Sequence, residues 1–110
     1  MKEMLEQLVG AVLQRQEVGA FTRSDNLQIL AYPWGRGVII GMGLPPDRAH
    51  HSQIRAVLRK RAENLQRFGS WLPTLLSDGR WGVLAKVPEI SEGAAIIPDD
   101  LLMAAEELLS

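Results

Sequence analysis

The chain has 110 residues, a formal net charge of −1, 46% hydrophobic and 23% charged residues, and no cysteine. That length and composition fit one globular domain spanning 1–110 and exclude intrinsic disorder. The missing cysteine excludes disulfides, thiolate metal sites and cysteine nucleophiles, and the near-zero charge gives no overall pull toward nucleic acid or lipid.

No apolar stretch approaches the ~18 residues that a membrane-spanning helix needs. Glu3 and Glu6 fall where a secretory signal needs an unbroken apolar run. The expectation is a soluble protein kept in the cytoplasm.

Met1, Leu5, Leu8 and Val12, widened by Met4, Val9 and Leu13, recur at helical spacing and predict a helix over 2–17, with Gly19 as its stop. Ser24-Asp25-Asn26 is a turn cluster. Leu27 to Tyr32 alternates as a strand. Pro33-Trp34-Gly35-Arg36-Gly37 reads as a turn, and Val38 to Leu44 as a second strand, apolar on both faces and ended by Pro45-Pro46.

Asp47 is the expected N-cap of a long helix reaching Phe68, with Ile54, Val57, Leu58, Ala62, Leu65 and Phe68 as its stripe and Gly69 as its stop. Trp71 to Leu76 and Arg80 to Val87 flank Ser77-Asp78-Gly79, a hairpin signature. Pro73 marks its strand as an edge, because proline cannot donate to a sheet ladder. Trp71 and Trp81 are placed to pair across this hairpin. Residues 88–97 read as a loop. Pro98-Asp99-Asp100 opens a last helix with the stripe Leu101, Leu102, Ala105, Leu108 and Leu109. The order is α-β-β-α-β-β-α, and the hairpins imply an antiparallel sheet, hence an α+β class.

No constellation for catalysis emerges. His50 and His51 are the only histidines. Neighbours on a helix point about 100° apart and cannot chelate one metal as an i, i+4 pair does. The glycines at 35, 37, 41 and 43 lack the spacing and the Lys-Ser/Thr ending of a phosphate loop. The serines show no nucleophile-elbow context. The expectation is a protein that is not an enzyme and carries no cofactor.

The charge distribution is uneven. Six cations (Arg48, Arg55, Arg59, Lys60, Arg61, Arg67) face only Asp47 and Glu63 between 47 and 68, and six acids with no cation lie from Glu89 onward. A nucleic-acid-binding regulator using the basic helix 48–67 is the alternative reading. The full apolar stripe of that helix weighs against it. An acidic protein surface, or the acidic C-terminal helix of this chain or a second copy, is an easier match. Trp34, in a turn, is an aromatic that can anchor an interface.

The order of elements, with Arg67-Phe68-Gly69-Ser70-Trp71-Leu72-Pro73-Thr74-Leu75-Leu76, then Val83-Leu84-Ala85-Lys86-Val87-Pro88 and Ile97-Pro98-Asp99-Asp100-Leu101-Leu102, resembles the small chaperones of bacterial type III secretion systems. That family has an N-terminal helix, a first strand group, a central helix, a hairpin and a C-terminal helix. Its first group often has three strands, and residues 19–26 are where the third would lie. The resemblance implies a homodimer or heterodimer that binds an unfolded segment of a secreted client protein. It implies a dimer contact through Ile54, Val57, Leu58 and Leu65 with Trp81 and Val83. It implies a client surface from Leu5, Leu27, Ile29, Val38 and Ile40, to which Trp34 is added as the aromatic anchor.

Overall fold

Helix α1, Lys2–Arg15, turns Leu5, Val9 and Val12 inward at the i, i+4, i+7 spacing of one helix face. It ends at Gln16, whose φ of 54° is left-handed, and not at Gly19. The Gln16 backbone N–H donates to the Val12 carbonyl at 2.7 Å and its Nε2 to the Leu13 carbonyl at 2.8 Å, so orphan carbonyls of the last turn are satisfied. The computed structural model describes residues 2–45, 47, 50–76, 79–88 and 97–109. Met1 of the first stripe, Pro46, Arg48, the Ser77-Asp78 turn, Glu89 and Glu92 of the acidic run, and the loop over 89–96 lie outside the described residues.

Strand β1, Gly19–Thr22, follows at once, then β2, Gln28–Trp34, and β3, Gly37–Gly43. The first strand group therefore has three members, and the order expected from sequence is corrected by one strand. Gly-Ala-Phe-Thr has little strand character of its own and becomes a strand by pairing antiparallel with β2, Phe21 opposite Ile29. The predicted turn at 33–37 shrinks to two residues. Pro33 and Trp34 stay in β2, opposite Val38 and Gly37, and Gly35 takes a φ of 58° as first residue of a tight hairpin turn.

The central helix is shorter than its periodicity implies. Helix α2 covers His51–Glu63, and α3 is a single turn, Leu65–Phe68. Its N-cap is His50, not Asp47, and the His50 N–H donates to Gln53 Oε1 at 3.2 Å. Asn64 (φ −145°, ψ 72°) interrupts the path and starts α3 by accepting from the Arg67 N–H through its side chain. Strands β4, Leu72–Leu75, and β5, Trp81–Val87, form the C-terminal hairpin, and α4 runs Asp99–Leu109.

The sheet is five-stranded and antiparallel in the order β1-β2-β3-β5-β4. With four helices among the described residues, the class is α+β. β4 is an edge, as Pro73 requires. The Leu76 N–H donates to the Arg80 carbonyl, which sets the register so that Pro73 sits between bonded pairs, where a missing donor breaks nothing in the ladder.

Paired residues share a face. Ile29, Met42 and Val83 lie side by side, as do Ala31, Ile40 and Ala85, and all six are buried with Leu5, Val9, Ala105 and Leu108. This is the helix-covered face and the core. Trp71 is fully buried in it and donates from Nε1 to the Leu101 carbonyl at 2.9 Å. It does not pair with Trp81, which stands opposite Leu75.

Candidate functional site

The register separates the expected client residues. Leu5, Leu27, Ile29, Val38 and Ile40 are all at most 3% exposed. The chain's own core occupies them, so as a client surface they are corrected: no partner reaches them while the helices cover that face of the sheet. Trp34 alone of that group is open, at 41%. It lies on the outer sheet face, with Lys86 Nζ 5.2 Å from its ring centroid, a cation–π contact.

The expected dimer residues divide in the same way. Val57 and Val83 belong to the core and cannot be interface atoms. Ile54 and Trp81 are half-buried, and Leu58 and Leu65 are exposed. Ile54, Leu58 and Ala62 follow one another at i, i+4 and i+8, so the open side of α2 is an apolar stripe. Val57 is the only buried residue of α2. Three of the eight exposed large apolar side chains among the described residues, Leu58, Leu65 and Leu75, fall on the run from α2 through α3 to the helix side of β4, while Leu72, opposite Leu84, lies on the outer sheet face. Periodicity marked the stripe on α2 but not which side of it faced inward, and the exposure of Leu72 and Leu75 was missed.

The basic run is largely engaged within the chain. Arg67 pairs with Glu107 at 2.6 Å, and Lys60 Nζ donates to the Glu107 carbonyl at 2.9 Å. Arg61 donates from Nε to the Trp71 carbonyl at 2.9 Å and holds the turn leading into β4. The central helix thus meets the acidic C-terminal helix of its own chain. Glu106 and Glu107 are exposed and also serve as ties: Glu106 bonds Arg23 at 2.6 Å. Asp99, at the start of α4, bonds Lys2 at 2.6 Å. Arg55 and Arg59 remain exposed, with no ion-pair partner among the described residues.

Arg23 also grips Asp25 through two hydrogen bonds of 2.9 and 2.7 Å. The bonds from Arg23, aided by the Leu27 N–H, hold the Asp25 carboxyl well below the usual carboxylate range, and the Arg23 guanidinium is held more firmly protonated by Asp25 and Glu106. These shifts belong to a structural clamp that joins the β1–β2 turn to α4.

His50 and His51 are both exposed at the start of α2. Among the described residues, no group of three His, Asp or Glu is placed to hold a metal ion, and no helix is long and apolar enough to cross a membrane. The site is therefore a pair of surfaces, the α2–α3–β4 apolar run and the outer sheet face around Trp34. No known protein family matches the chain, and no curated protein matches it.

Proposed function

We propose that this chain is a protein-binding chaperone or adaptor of the type III secretion kind. It holds an unfolded segment of a secreted client in the cytoplasm, works as a dimer and performs no catalysis. The observation that carries the reading is the exposed apolar run of Leu58, Leu65 and Leu75 on the helix side of the sheet. A helix that buries only Val57 in its own subunit has an apolar side left for another chain. Two further observations support it. The first strand group has three strands, as the resemblance expects. The cations that a nucleic-acid reader would need are partly committed to α4 and to the turn before β4.

The test is capture of the native client by the full chain from the cells that make it. A single predominant partner is expected, bound through a segment that proteases degrade when it is free and spare when it is bound. A chain that retains no protein, or one that retains nucleic acid in a salt-sensitive way lost in Arg55→Glu/Arg59→Glu, overturns the proposal.

A further inference from the structure

The helix-free face of the sheet is unusual for a surface that meets water. Sheets with one open face alternate apolar residues inward and polar residues outward. Here the strands are apolar on both sides. The register puts Tyr32, Ile39 and Lys86 in one row across β2, β3 and β5, and Leu30, Gly41, Leu84 and Leu72 in the next. Trp34 lies beyond Tyr32 on the same face, 41% exposed, and Leu72 is 47% exposed at the far edge. No strand position on this face is Asp or Glu. Its charge among the described residues is Lys86, with Arg36 exposed in the turn next to Trp34, and at the far end Arg80, whose stem lies beside Gly43 and whose guanidinium donates to the Asn26 carbonyl.

We infer that this face, centred on Trp34, Tyr32, Ile39, Lys86 and Leu84, docks an extended segment of another protein that alternates apolar and acidic side chains. The inference rests on the client-binding reading and gives the client segment its chemistry. The charge decides between occupants. A second copy laid on this face by a two-fold axis would bring the same patch against itself, cation to cation, with no acid among the described strand residues to receive Lys86 or Arg36. A nucleic acid draws its affinity from many phosphate contacts, and the described residues set only Lys86 and Arg36 at the tryptophan, with Arg80 at the far end bonded to the Asn26 carbonyl. The Lys86 ammonium already covers one side of the Trp34 ring and competes there with a stacked base. An acidic side chain meets that ammonium directly, and the two-residue period of an extended chain sets its apolar side chains on Tyr32, Ile39 and Leu84.

The test uses the full chain labelled with ¹⁵N and three probes: a short synthetic peptide alternating Val and Glu, its Val–Lys counterpart, and oligothymidylate. The Val–Glu peptide is expected to move the Trp34 indole N–H and the amides of Tyr32, Ile39 and Leu84. The other two are expected not to. Arg36→Glu/Lys86→Glu should weaken the peptide by about tenfold, the equivalent of two exposed charge contacts. Arg36→Gln/Lys86→Gln gives a smaller loss in the same direction if the reversed variant folds poorly, and Arg55→Glu/Arg59→Glu changes nothing. Shifts centred on α2, equal binding of the Val–Lys peptide, binding of oligothymidylate on this face, or unchanged affinity in both charge variants overturns the inference. A native client that binds away from this face defeats the inference alone, and peptide binding here by a chain that captures no client defeats the chaperone reading alone.

Discussion

Trp71→Phe separates a tryptophan that holds the fold from one that is available to a partner. Trp71 is fully buried, and its Nε1 donates to the Leu101 carbonyl at 2.9 Å. Phenylalanine keeps most of the apolar volume but removes the donor and the outer ring. The lost hydrogen bond is worth about 1 kcal/mol and the partly filled cavity about 1–2 kcal/mol, together about 2–3 kcal/mol. Trp34→Ala removes a 41%-exposed ring and its contact with Lys86 and should cost less than about 1 kcal/mol. The assay is urea unfolding followed by far-UV circular dichroism, at one fixed protomer concentration because association shifts the midpoint. With a slope of about 1 kcal/mol/M for a small domain, the Trp71→Phe midpoint falls by roughly 2–3 M and that of Trp34→Ala by under about 1 M. A Trp34→Ala loss equal to or larger than that of Trp71→Phe refutes the division into a covered and an open sheet face.

Gly37→Ala should destabilise by about 2–3 kcal/mol in thermal melts, because its Cβ would run into the Val87 carbonyl oxygen and the Pro88 backbone. Gly35→Ala meets no atoms and should lose only about 1 kcal/mol, from the 58° φ that an L-residue resists. Asp25 gives a pH signature. Its folded pKa is lowered chiefly by Arg23, so its contribution is present above the unfolded carboxylate value of about 3.9 and is lost as pH falls below it. The side chain is 43% exposed, so the contribution is under about 1 kcal/mol. Stability measured against pH should drop more steeply below about pH 4 in the wild type than in Asp25→Asn. Glu107→Gln should cost less than about 1 kcal/mol by urea unfolding, since its pair with Arg67 is more than one-third exposed on both sides.

Much of the fold was legible because local signals and global pairing agree. The edge role of Pro73, the hairpin around Gly79 and the helix opened by Pro98 and Asp99 all follow from backbone chemistry that tertiary context does not override. β1 was less legible because Gly19–Thr22 has no alternation of its own, and only Ile29 and Ala31 opposite make it a strand. The break at Asn64 was hidden because Leu65 and Phe68 continue the apolar count across it, while the signal for it, an Asn able to cap the next turn, is common on helix surfaces. The client surface was misplaced for a definite reason. Strands that are apolar on both faces carry period two but no sign, so Ile29 and Leu30 look alike until the helices cover one of them. Trp34 was found because a large aromatic next to a tight glycine turn has little core within reach.

Sedimentation equilibrium of the wild type and of Leu58→Glu/Leu65→Glu tests most directly whether the apolar run is an interface. Both side chains are exposed in the subunit, so the substitutions should leave the circular dichroism spectrum unchanged. A wild type at twice the mass of one chain and a variant at the mass of one chain are expected. A wild-type monomer at high concentration, or a dimer indifferent to both substitutions, contradicts an interface there.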